Sequence, residues 1–189
     1  MQAPVPETIL LMFGVLPLWL AAGGADWWMH RRSHIERTAG VRESLLHLLM
    51  LAEMAIAVLA VLWLEINAAV LALCIVAFLA HEITVYADLR WSAGQRQITP
   101  LEQMIHSVQE IMPLVGLALL ASSHWDQASA LVGLGGAGGE DASWSFTLKR
   151  VALPGEYVAS AVLAGAALAA CYVEELWRCM KARATPTHR

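Results

Sequence analysis

Four stretches of this 189-residue chain combine histidine and carboxylate at the spacing of a helix face. Asp26, His30 and His34 stand at i, i+4 and i+8, and Glu43 and His47 at i and i+4. His81 and Asp88 are seven apart, and Glu102, His106 and Glu110 repeat the i, i+4, i+8 pattern. Residues at these intervals lie on one side of an α-helix, so each stretch offers imidazole and carboxylate together. Such donors bind iron, manganese or zinc, and no thiolate accompanies them to favour copper(I). The set is too large for a closed tetrahedral zinc site. It suits two metal ions, with some carboxylates bridging and others orienting the imidazoles. The expected centre is therefore dimetallic, iron first and zinc or manganese as alternatives. Its ligands would be drawn from Asp26, His30, His34, Glu43, His47, His81, Asp88, Glu102, His106 and Glu110.

The chain around these residues is 58% hydrophobic and only 15% charged, where about 25% charge is usual in soluble domains. Such a composition excludes a disordered chain, a collagen-like repeat and a basic nucleic-acid-binding domain. Five stretches, about 7–30, 43–64, 66–89, 101–122 and 151–177, reach the roughly 20 apolar residues that span a bilayer. Open sheet edges cannot sit in hydrocarbon. The expected fold is thus all-α, a polytopic membrane bundle of five transmembrane helices forming a single domain over 1–189.

Basic residues set the expected direction. Arg31, Arg32, Arg37, Arg42, Arg90, Arg96, Arg178, Lys181, Arg183 and Arg189 would share one side, leaving only Lys149 and Arg150 on the other. The positive-inside rule then puts the N-terminus outside and the C-terminus inside, in a bacterial inner (cytoplasmic) membrane. Trp27, Trp28, Trp91 and Trp177 fall at one interface and Trp63, Trp125 and Trp144 at the other, as aromatic belts do. The first span has no basic n-region or A-x-A site and is read as retained. The extracytoplasmic loop 122–150 is glycine-rich without a phosphate-binding signature, which makes it a linker or a lid. Residues 178–189 form a basic cytoplasmic tail. Cys74, Cys171 and Cys179 show no disulfide or thiolate-zinc spacing.

This topology gathers the four stretches in one layer, because all four lie at helix ends on the cytoplasmic side. Five of the seven histidines fall there, leaving His124 in the outer loop and His188 in the tail. Facing helices that each offer a histidine and a carboxylate are how bundles build core metal sites. Plainer readings exist for single members. His34 and Glu36 can lie in a loop beside arginines, Asp26 and Asp88 can pair with arginines, and Thr99 can cap a helix whose first turn holds Glu102. Tyr86 and Glu53 are possible catalytic residues near the layer, and Glu174 or Glu175 can face it from the fifth span. Met50, Met54, Met104 and Met112 read as core fillers.

In site layout, over roughly residues 26–110, the chain resembles integral-membrane non-haem di-iron enzymes, the class of fatty-acid desaturases, hydroxylases and alkane monooxygenases. Where those proteins carry H-x-x-H-H clusters, this chain has Asp26-x-x-x-His30-x-x-x-His34 and Glu102-x-x-x-His106-x-x-x-Glu110. The resemblance implies an oxidoreductase that applies oxygen to a membrane lipid or another lipophilic substrate. A cytoplasmic electron donor would approach near Arg31, Arg32, Arg90 and Arg96. Other chemistries open to the same residues are a metal-ion carrier, a zinc- or manganese-dependent lipid hydrolase and a b-type haem protein. No nucleic-acid partner is expected.

Overall fold

The computed structural model describes residues 6–134 and 142–184. Most of the glycine run (135–139), His188 and Arg189 lie outside the described residues. Five helices are long and apolar enough to cross a membrane: α1 (Pro6–Ser33), α2 (Gly40–Trp63), α3 (Ala68–Ser92), α4 (Pro100–Ser123) and α6 (Gly155–Ala184). A short helix, α5 (Trp125–Leu131), follows α4. The described residues contain no β-strand beyond an isolated bridge between Leu64 and Leu148. The protein is an all-helical membrane bundle.

Local chemistry sets the helix ends. Thr99 accepts a hydrogen bond from the Glu102 amide while the Glu102 side chain accepts one from the Thr99 amide, with Pro100 at the first helical position. Two amides that the helix cannot satisfy are thereby paired. Asn67 caps α3 by accepting from the Val70 amide at 3.2 Å. At the end of α1, His34 takes φ 54°, a left-handed residue that stops the helix. The α1 ladder widens to a π-type turn over Leu11–Val15.

The fifth span begins at Gly155, later than 151, because Pro154 disfavours helix in the residue before it. It runs on through the basic segment to Ala184, so much of the expected tail is helical. Lys181 and Arg183 fall in its last turn, where cations complement the helix dipole.

The loop after α4 is more structured than a bare linker. Besides α5, its 143–149 segment returns across the α2–α3 turn. The Glu65 amide donates to Thr147 O (2.9 Å), the Ala69 amide to Ser143 O (3.1 Å) and the Lys149 amide to Trp63 O (2.8 Å). Asn67 Nδ2 also donates to Ser145 O at 2.8 Å. The strap covers the end of the bundle away from the histidines.

Inside the bundle, α2 packs on α3 and α6, while α1 packs on α4 and α6. Between the α2–α3 turn and mid-bundle the buried cluster is apolar, with Ala60, Val70 and Cys74 at its centre. At the opposite end most of the buried polar residues gather, beside apolar ones such as Ile35 and Cys179.

Candidate metal centre

Five carboxylates are buried at that polar end: Asp26, Glu43, Asp88, Glu102 and Glu175, each at most 4% exposed. His30, His47 and His81 are buried with them, and His106 is half-buried. The hairpin course of the chain puts the C-terminal ends of α1, α3 and α6 beside the N-terminal ends of α2 and α4. The i, i+4 spacing then turns each pair inward.

Glu175 organises the middle. One of its oxygens lies 3.1 Å from His30 Nδ1 and the other 2.8 Å from His47 Nδ1. The two rings consequently stack, 4.4 Å between centroids and 10° from parallel. With Nδ1 as the protonated nitrogen on both rings, each Nε2 keeps its lone pair. A carboxylate that holds the far nitrogen of an imidazole in this way is the usual outer partner of a metal-binding histidine. The stacked pair leaves no gap for a haem between its rings.

The Nε2 atoms point to different carboxylates. His30 Nε2 sits 3.3 Å from Asp26 Oδ1 and 3.5 Å from Glu102 Oε1, yet it is hydrogen-bonded to neither. His106 Nε2 is 2.9 Å from Asp26 Oδ1. Asp26, His30 and His106 thus offer ligand atoms all within 4.8 Å of one another, as do His30, Glu43 and His47. On the other side, His47 Nε2 is 3.6 Å from Asp88 Oδ2. Asp88 Oδ1 and both ring nitrogens of buried His81 have no hydrogen-bond partner among the described residues. Orphaned buried polar atoms are rare and call for an explanation.

Those orphans share a cavity of about 60 Å³ at the junction of five helices, lined by Asp26, His47, His81, Asp88, His106 and Glu110 among others. Tyr172 also lines it, and its hydroxyl lies 3.1 Å from Gly23 O and 3.2 Å from Asp26 Oδ2. Among the described residues the site has a single buried guanidinium. Arg96, from the α3–α4 loop, reaches Glu43 Oε1 at 2.6 Å and Glu102 Oε1 at 2.5 Å. Burial opposes its charge, but the hydrogen bonds to Glu102 and Glu43 outweigh burial and raise its pKa above the ordinary guanidinium value.

The structure therefore assembles Asp26, His30, Glu43, His47, His81, Asp88, Glu102 and His106, with Glu110 on the cavity wall. It does not bring in His34, which is exposed and sits 3.2 Å from Glu36, because α1 ends one residue before it. Tyr86 is 66% exposed and faces away. Glu53 accepts from Thr84 Oγ1 at 2.8 Å and does not line the cavity. Glu102 serves both as cap and as site residue.

Two participants stand outside the ten expected ligands. Glu175 is one, although its level at the end of the fifth span already makes it, with Glu174, a candidate to face the site. Arg96 reads as a surface arginine until the loop folds inward. Glu174, beside Glu175, instead accepts from Arg31 (2.7 Å) and Trp27 Nε1 (3.1 Å).

The chain matches no protein-family model, and no curated protein or solved structure is significantly similar to it. Its chemistry is read from the site alone.

Proposed function

We propose that this protein is a membrane-bound dimetal oxidoreductase, with iron as its metal and a lipophilic molecule as its substrate. One observation carries the reading. Five buried carboxylates face one buried guanidinium, leaving four negative charges if the imidazoles are neutral. Uncompensated charge is expensive inside a protein and more so at membrane depth. Two divalent cations cancel it, and the hard oxygen and imidazole donors suit iron.

The first ion would be held by His30, His106, Asp26 and Glu102, and the second by His47, His81 and Asp88, with Glu110 or Glu43 completing the set. Bound there, the pair would supply activation of oxygen. The chain's own residues do the rest. Glu175 fixes the tautomer and tilt of His30 and His47. Tyr172 steadies Asp26 by donating a hydrogen bond to Oδ2 over 3.2 Å. Arg96 balances Glu43 and Glu102. The surrounding apolar helices exclude bulk water. With nine of the eleven basic residues in the described segments at the site end, we place that end in the cytoplasm of a bacterial inner membrane, within reach of an electron donor.

Elemental analysis of the purified protein tests the reading. Two irons per chain and no haem absorption are expected. Stoichiometric haem, or no tightly bound metal after expression in iron-replete cells, overturns it. Zinc or manganese filling both seats instead would move the reaction to hydrolysis.

A further inference from the structure

Beyond the metal layer, the apolar half of the bundle contains a second, larger cavity of about 560 Å³. Pockets for drug-sized ligands run roughly 300–1,000 Å³. Its walls come chiefly from α1, α2 and α4, with Phe78 of α3 and Tyr157 of α6 joining Met54, Val58, Met112 and Leu117 among the lining side chains. Trp19 lines both this cavity and the small one among the histidines, so the two cavities share its side chain as a wall. Along α2, fifteen residues separate Leu62 at the far mouth from His47 at the site, a distance of about 22 Å at the helical rise.

The mouth differs from the walls. Lys149, Arg150 and His124 line it, with Glu65 as the one acid. Among the described residues, Lys149 and Arg150 are the only two basic residues at this end of the bundle, and both border the same cavity. Lys149 Nζ donates to Leu64 O at 2.7 Å, and Glu65 is engaged by the Arg150 amide at 2.7 Å. Burial lowers the Lys149 pKa, which Glu65 only partly offsets. An anion at the mouth would remove that penalty.

We propose that the larger cavity binds one single-chain anionic amphiphile, a long-chain carboxylate. Its head would sit at Lys149 and Arg150, and its chain would run past Met54 and Met112 to end against Trp19. This deepens the reading of the protein as a lipid-directed oxidoreductase and rests on it only for the fate of the chain. It assigns the carbons presented to the histidine layer to the end distant from the head, with Trp19 limiting how far they reach.

Photolabelling reads the binding independently of the metal. Palmitate carrying a diazirine next to the carboxylate, or near its methyl end, is added to metal-loaded and metal-stripped protein in lipid nanodiscs, and labelled residues are mapped by mass spectrometry. The head-proximal probe is expected on 124 and 149–153, and the methyl-end probe on 15–19 and 112–116, in both forms of the protein. The reverse order overturns the proposal, as does labelling confined to outward-facing residues such as Phe13 and Ile83, the pattern of bulk lipid.

Arg150→Gln keeps the backbone donor to Glu65. It should weaken labelling about tenfold, the ratio worth one charge-assisted hydrogen bond. Gly116 borders the cavity, and a Cβ there would lie 3.7 Å from Val15 Cγ1, so Gly116→Phe should fill the space and abolish labelling without touching a charge. Retained labelling in both folded variants overturns the site. Correct labelling in a protein that holds no metal would keep this proposal and sink the oxidoreductase reading.

Discussion

The two halves of the bundle are held together by different forces. At the histidine end, five carboxylates and three histidines are buried in contacts that join distant parts of the chain. Glu175 reaches His30 across 145 positions, and Asp26 reaches His106 across 80. At the far end the helices meet through Ala60, Val70 and Cys74, beside a cavity about nine times larger in volume. In lipid, apolar surface gains little by leaving one hydrocarbon for another, so packing and interhelical polar contacts carry association. The polar half therefore contributes directional restraint, while the apolar half tolerates an open space. The difference teaches that this fold concentrates its specificity where it concentrates its charge.

The largest way to break that contrast is Arg96→Ala. Glu43 and Glu102 would lose their shared counter-charge while staying buried, and breaking a buried pair costs about 3–5 kcal/mol. Thermal unfolding of metal-free protein should show the full loss, and metal loading should restore much of it. An equal loss in both forms would mean that no cation shares these carboxylates. His47→Ala comes next. It removes a ligand and half of the Glu175 clamp, so metal content should fall to one ion or fewer per chain, read by elemental analysis. Unchanged stoichiometry would displace the centre from this layer.

Two neighbouring glycines sharpen the comparison through packing alone. A Cβ on Gly23 would come within 2.9 Å of Leu168 Cδ2, whereas one on Gly24 meets nothing within 4 Å. Overpacking costs about 1–3 kcal/mol, near the lower bound here because Leu168 can rotate. Gly24→Ala should instead stabilise α1 by up to about 1 kcal/mol, through helix propensity. Opposite shifts in Tm for the two variants are expected.

A smaller effect lies at the rim, where Arg178 pairs with Glu36. Burial works against the Glu36 charge, but its backbone hydrogen bond, His34 and Arg178 outweigh burial and lower its pKa below 4.5. A lowered carboxyl pKa adds stability above the unfolded value, and that stability disappears as pH falls through the folded value. Glu36→Gln should flatten this acid limb in a stability profile below about pH 5, with no change in metal content. His34→Ala and Tyr86→Phe should leave metal binding unaltered, because both side chains point away from the layer.

Hydropathy and spacing alone marked five spans, with ends within a few residues of those observed except at α6, where Pro154 delays the start and the basic tail prolongs the helix. They also picked out nine of the residues that line or border the polar core, Glu110 on the cavity wall included. Periodicity is a local property, and a face repeated every 3.6 residues is visible without any partner. His34 illustrates the limit of that logic, since its spacing fits but the helix stops before it. The strap over the α2–α3 turn and the short helix α5 carry no period and were illegible for the same reason.

Sequence by itself determined the solvent of this protein, its helical class and which side chains could act together, because apolar length and i, i+4 repetition depend only on neighbours along the chain. Tertiary structure decided the partnerships: Glu175 across two histidines, Arg96 between two glutamates, His81 left without a hydrogen bond, and one tryptophan lining both a polar cavity and an apolar one. Those depend on how helices far apart in the chain come to face each other. Relative helix rotation and loop return are set by packing over the whole bundle, and no short stretch of residues encodes them.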